Sequence, residues 1–368
     1  MRRSLGAAAL AGALAALTAQ AAAQVAAPGA PAAADSAGAP ARKPRRPAHA
    51  PLFAAEAPLE LTLAADLGRL RRDLSEKAPW RPGTLTYADA DGRPRAVPVG
   101  LRTRGVWRLK HCRFPPLRLN FAGAAARGTV FEGLDKPKMV NYCRDAASYE
   151  QLVLQELQLY RAFALLTPAS HRARLARVTY VDAAKQGRPL TTRYAILLEE
   201  PKSVAARVGG RTLDAKGARA GDLEPYQAVL AGVFQYMVGN HDWSTAGRHN
   251  AELMHDSAGA VLLVPYDFDF TGAVNAPYAT VDPKLRINRV RDRLYRGHCA
   301  PAADYERAFA RFRERKDAIY ALWADPVGRL VEPGRARETL AYFDEFYATI
   351  NSPRDARRDI LDACVDAQ

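Results

Sequence analysis

The sequence predicts an α+β fold of two lobes, strand-rich in its N-terminal half and mostly helical in its C-terminal half. Three observations predict it. Short β-rich runs punctuated by Pro and Gly dominate as far as Tyr142. At Ser148 the apolar period lengthens from two residues to a helical spacing. Beyond Pro301 the chain reads almost wholly as amphipathic helix. With 368 residues, 48% of them hydrophobic, it is long enough for one large two-lobed domain or two small ones.

Taken in order, Arg2 and Arg3 precede an uncharged Ala/Leu stretch and small residues at Ala21–Ala23. That is the three-part pattern of a secretory signal peptide, expected over residues 1–23 with cleavage near Ala23. Its apolar stretch is too short and too alanine-rich to span a bilayer well, so no transmembrane span is expected after cleavage. Residues 24–50 are rich in Ala and Pro, end in the basic knot Arg42, Lys43, Arg45 and Arg46, and read as a disordered linker. The N-terminal lobe is expected over 51–202 and the C-terminal lobe, with a helical extension, over 203–368.

Within the first lobe, 59–65, 95–101, 116–121 and 136–142 have strand character. A long helix follows from Ser148, with Val153, Leu157, Tyr160 and Ala164 on one face, and Pro168 closes it. Ser148 and Gln151 have the spacing of a capping box. Segments 173–182 and 191–200 read as a hairpin turning at Gly187 and Pro189. The polar stretch GGRTLDAKGARAGD marks the lobe boundary. Asp222 is placed to cap a second helix, in which Leu223, Tyr226, Leu230, Val233 and Met237 recur. HNAELMH and VLLVPYDFDF read as a second hairpin around the turn DSAG.

The formal charge is +14, of which the signal segment holds +2 and the linker +3, leaving +9 on residues 51–368. A basic body attracts phosphate-rich partners. The Arg residues are scattered, however, and no zinc-finger, homeodomain or RNP pattern is present, so specific nucleic-acid binding is not expected. Four cysteines in an exported chain allow three pairings of two disulfides, and their positions favour Cys112–Cys143 and Cys299–Cys364. The absence of a Cys-x-x-Cys pair argues against zinc.

The chemistry concentrates late in the chain. Asp267 and Asp269 stand at i and i+2 at the end of an expected strand, which would turn both to one face. Adjacent carboxylates repel unless a cation joins them, and hard cations take oxygen ligands. Asn250 could add a neutral oxygen, and Asp242 is placed to orient or deprotonate a hydroxyl. Glu156 lies beside the apolar stripe of the long helix and needs a cationic partner, for which Lys138 is available.

These residues resemble, from about Leu59 to about Arg296, the spore-coat CotH family of atypical secreted kinases. The matching pieces are LRTRGVW, FPPLRLNF, VFEGLDKPKMVNYCRDAASYEQLVLQEL, YAILLEE, and HDW…RHN with VPYDFD. The resemblance implies an atypical protein-kinase-like fold, ATP with Mg²⁺ or Mn²⁺, and phosphoryl transfer to a protein Ser or Thr. It implies that Asp242 is the catalytic aspartate, and that Asp267, assisted by Asp269 and Asn250, holds the metal. Lys138 and Glu156 would be the phosphate-anchoring pair, and Glu199 or Glu200 would lie near the adenine. Arg104 could reach a phosphate, and Arg118 stands where the family often has lysine. Two other classes compete. One is a non-catalytic envelope or surface binding protein that retains the scaffold. The other is a metal-dependent phosphohydrolase using His241, Asp242, His249 and His255.

Overall fold

The computed structural model describes residues 50–365. The expected signal peptide, and all of the expected linker except Ala50, lie outside the described residues. The strands are β1 (Leu59–Ala65), β2 (Arg81–Ala88), β3 (Pro94–Thr103), β4 (Leu117–Asn120), β5 (Lys138–Val140), β6 (Ala173–Asp182), β7 (Arg188–Leu198), β8 (Thr212–Leu213), β9 (Ala251–His255) and β10 (Val261–Pro265). Among the helices, α1 (Leu67–Leu70), α2 (Val106–His111) and α3 (Gly123–Ala126) are short, α4 (Ala147–Leu166) is long, and α5 is Pro201–Arg207. They are followed by α6 (Pro225–Val238), α7 (Ala302–Ala321), α8 (Pro333–Asn351) and α9 (Pro353–Ala356).

The first seven strands close into one mixed barrel in the order β1-β2-β3-β4-β5-β7-β6. This corrects the fold class. A two-lobed, kinase-like arrangement of a strand-rich N-terminal lobe and a mostly helical C-terminal lobe is not what forms. The closing contact is a parallel pairing of β1 with β6, in register from Leu59↔Ala176 to Ala65↔Asp182. Closure removes the free sheet edges that an open lobe would leave. β1 alternates buried and partly exposed residues along its whole length, as a barrel strand should. Leu61, Leu63, Leu85, Val99, Leu119 and Leu197 fill the interior. The strand β2 was not anticipated, because Pro82 and Gly83 read as punctuation.

The long helix is not confined to the strand-rich part. Leu154, Leu157, Phe163 and Leu166 of α4 share one hydrophobic core with Phe234 of α6, Phe309 of α7 and Phe343 of α8. Two capping expectations also change. No side chain caps α4, whose N-cap is Ala146. Gln151 instead reaches across the fold, donating to the Leu330 carbonyl and accepting from the Glu332 amide. The N-cap of α6 is Glu224, which accepts from the amides of Tyr226 and Gln227, while Asp222 lies in a preceding 3₁₀ turn.

Both disulfides form in the expected pairing, Cys112–Cys143 and Cys299–Cys364. They fit a secreted or periplasmic protein. Among the described residues, no helix is long and apolar enough to cross a membrane. The first disulfide closes a 31-residue separation between the end of α2 and the segment before α4. Replacing both its cysteines by serine is expected to lower stability by about 3–4 kcal/mol, read as a shift of the urea midpoint against the oxidised wild type.

Candidate functional site

The site is assembled where α2, the start of β5, the middle of α4 and the segment after β10 meet. Gly105 makes the entry to α2 possible. Its φ of +92° turns the chain sharply out of β3, a conformation that side-chain-bearing residues rarely adopt. Trp107 then stacks on His111 and packs against Phe270 and Tyr278, at ring-centroid distances of 5.3 and 5.1 Å. The Cys112–Cys143 disulfide ties down the far end of the helix. Between these anchors Arg108 is turned inward and buried.

The strand premise for the acidic pair is corrected, yet the pair still converges. β10 ends at Pro265, and Asp267 adopts φ +65°. Its amide donates to the Tyr160 hydroxyl at 2.8 Å. The cation that joins the two carboxylates belongs to the protein itself. Arg108 Nη2 lies 2.6 Å from Asp267 Oδ1 and 2.6 Å from Asp269 Oδ1, and 3.9 Å from Glu156 Oε2. Tyr278 donates its hydroxyl to Asp269 Oδ2 at 3.1 Å. Burial pushes the Glu156 carboxyl up to about 8 against the pull of Arg108, and burial raises Asp269 to about 6. For Asp267 burial is outweighed by Arg108, Arg104 and Lys138, which together hold it below the usual carboxylate range.

The expected Lys138–Glu156 pair does not form. Glu156 turns towards Arg108, whereas Lys138 points out of the barrel, 3.7 Å from the Tyr266 ring centroid and 3.9 Å from Glu252. The β4/β5 register explains the direction of Lys138. Leu117 and Met139 pair across the strands and fill the barrel interior, so the adjacent Arg118↔Lys138 pair faces outward. Burial, followed by the Arg104 cation, depresses Lys138 from 10.5 to about 7. Burial likewise lowers Arg118, again with Arg104 next in importance. Three like charges therefore face one another across a small area.

Asp242 follows the C-cap of α6, where Gly239 adopts φ +65° against the Tyr342 hydroxyl. Ser244 and His249 exchange both backbone hydrogen bonds and close a tight loop. His249 Nε2 thereby reaches 2.7 Å from Asp242 Oδ1. That hydrogen bond raises the His249 pKa, and the nearby Asp267 carboxylate adds to the effect. Asn250 Nδ2 donates to Asp242 Oδ2 at 3.1 Å and to the Asp242 carbonyl at 2.7 Å. Asp242 lines a cavity of about 350 Å³ with Trp243, Ser244, His249, Phe270 and Arg296.

Glu199 and Glu200 serve the framework. Glu199 is buried and clamped by Arg207 at 2.7 and 2.8 Å. Glu200 accepts from the amides of Asp135 and Lys136, each at 2.8 Å. The histidines of the phosphohydrolase reading do not gather on one point. His255 Nδ1 meets the Gly259 carbonyl, His249 meets Asp242, and His241 Nε2 is buried without a partner.

The expected divalent ion fits poorly with these side chains as they stand. Asn250 is turned to Asp242, and Arg108 Nη2 bridges the two aspartates where a metal would sit. Among the described residues, no group of three or more His, Cys, Asp or Glu could hold a metal ion. Arg108, Glu252 and Arg296 were missed in the sequence. No spacing rule distinguishes them among 53 Lys and Arg and 39 Asp and Glu, and the flanking Trp107 and Leu109 were the one hint that Arg108 is buried.

Fold and site together define a class: a disulfide-bonded α+β protein in which a closed barrel carries, on its outer face, a buried arginine–carboxylate cluster between basic residues and an Asp–His pair. Comparison with protein-family models gives no match, and comparison with curated proteins gives none either.

Proposed function

We propose that the protein acts outside the cytoplasm, in the periplasm or at the cell exterior, as a phosphotransferase. It binds the polyphosphate of a nucleotide, ATP in the simplest case, and transfers a phosphoryl group to a Ser or Thr hydroxyl of a protein. One observation carries the reading. Arg104 and Lys138 both lower the Asp267 pKa, Asp267 in turn raises that of His249, and His249 Nε2 lies 2.7 Å from Asp242 Oδ1. Cations that suit a phosphate chain thus adjoin a carboxylate that suits a hydroxyl.

In this reading Arg104, Arg118 and Lys138 hold the donor, whose negative charge relieves their mutual repulsion. The acceptor hydroxyl enters the cavity beside Asp242 and gives its proton to that carboxylate as its oxygen attacks the terminal phosphorus. The bond from that phosphorus to the bridging oxygen breaks, and the three cations neutralise the departing diphosphate. The test is incorporation of label from γ-labelled ATP into a Ser/Thr-rich protein by the full chain, with Asp242→Asn as the control that should stay blank.

A second reading has its own support. Both Asp242 carboxylate oxygens are engaged, by His249 and Asn250. That favours a non-catalytic envelope or surface binding protein. If no label is transferred and nucleotide leaves the melting temperature unchanged, this reading stands instead.

Polyphosphate affinity should depend on Lys138. Its pKa is depressed to about 7, so the free protein loses this charge as pH rises through that value, and a bound anion must draw a proton back. Affinity is therefore expected to fall above pH 7 by up to about tenfold per pH unit. Calorimetry near pH 8 in buffers of different ionisation enthalpy should show proton uptake, and Lys138→Met should abolish it.

A further inference from the structure

Three buried or partly buried carboxylates share a single guanidinium. Arg108 Nη2 makes two 2.6 Å contacts, one to each aspartate, and stands 3.9 Å from Glu156 Oε2. Glu156 is 1% exposed, and its Oε1 has no hydrogen-bond partner. One nitrogen thus bridges two carboxylate oxygens of the kind a hard divalent cation takes, with a third carboxylate left short of partners, and with Arg108 in place these carboxylates form no metal-holding group. The guanidinium arrives on a helix of only six residues, anchored by Trp107 on one side and the Cys112–Cys143 disulfide on the other. It is therefore held by side-chain packing and a crosslink rather than by a long buried element.

We propose that Arg108 is a built-in cation that occupies the Glu156–Asp267–Asp269 cluster in competition with divalent metal, so that a metal ion reaches these carboxylates only when the guanidinium leaves. The physical basis is exclusion. A positive charge already within hydrogen-bond distance of both aspartates repels a second one and uses the lone pairs it would need. This goes beyond the phosphoryl-transfer reading and is tested without nucleotide, so either can fail alone.

The probe is Mn²⁺ by itself, titrated into the full chain and followed by the loss of its free electron paramagnetic resonance signal. Arg108→Gln is expected to bind one Mn²⁺ at least about tenfold more tightly than wild type. The gain should disappear in Arg108→Gln/Asp267→Asn, while Asp267→Asn alone binds as wild type does. Equal Mn²⁺ affinity in wild type and Arg108→Gln would overturn the proposal. So would tight wild-type binding that Asp267→Asn removes. Should Arg108→Gln fold poorly without metal, its melting temperature must rise with Mn²⁺ by several degrees more than that of wild type, and no such rise also overturns it. Arg108→Lys, which keeps a charge on a shorter side chain of different shape, is expected to fall between the two.

Discussion

Arg108→Met is expected to lower folding stability by about 3–5 kcal/mol at pH 8, the cost of leaving buried carboxylates without their cation. The loss should shrink as pH falls, and the sign follows from the carboxyls. In the folded protein Glu156 titrates at about 8 and Asp269 at about 6, both above their ordinary values because they are buried. The native state therefore keeps protons that the unfolded chain has released, and this contribution to stability falls as pH rises from the ordinary carboxyl range towards 8. Without Arg108 the charged carboxylates lose their main attraction, so the penalty is greatest near pH 8, where Glu156 and Asp269 are ionised, and smaller at pH 4–5, where those two are protonated and Asp267 alone keeps its charge. Urea midpoints of wild type and variant across that range measure the difference. A loss that does not change with pH would show that Arg108 contributes packing rather than charge.

Asp242→Asn is expected to reduce phosphoryl transfer by about 10²–10⁴-fold while leaving nucleotide affinity within a factor of two or so. The asparagine keeps an oxygen for His249 and nearly the same shape, so the loop closed by Ser244 and His249 should persist. What disappears is a group able to take the acceptor proton. A second readout needs no activity at all. The Asp242 hydrogen bond raises the His249 pKa, so the variant's His249 should titrate nearer the ordinary histidine value, as proton NMR would record. A fall in transfer accompanied by an equal fall in nucleotide affinity would instead mark Asp242 as part of the donor site.

Much of the local structure was legible because it rests on local chemistry. Strand β1 was placed at 59–65 from alternation alone, and α4 within one residue of its start from helical periodicity. Where one side chain had to choose between a near and a distant partner, the reading failed. Gln151 bonds to Leu330 and Glu332, far along the chain, instead of capping its own helix. Glu156 was recognised as needing a cation and Lys138 was offered for it, but Glu156 faces Arg108 and Lys138 lies beside Glu252. A need for charge compensation can be read from a single residue, whereas its supplier depends on which segments are brought together.

By itself the sequence singled out Asp242, Asp267, Asp269, Glu156 and Lys138 as candidates, since unusual residues in apolar or punctuated settings declare themselves one at a time, and the resemblance added Arg104. It also favoured the cysteine pairing that forms. Only the tertiary structure decided that the strands close, because the parallel β1–β6 contact joins segments more than a hundred residues apart with no turn to announce it. Only the tertiary structure, too, set an arginine between the two aspartates. Coulomb attraction takes whichever cation the fold brings within reach, and here α2 brings Arg108.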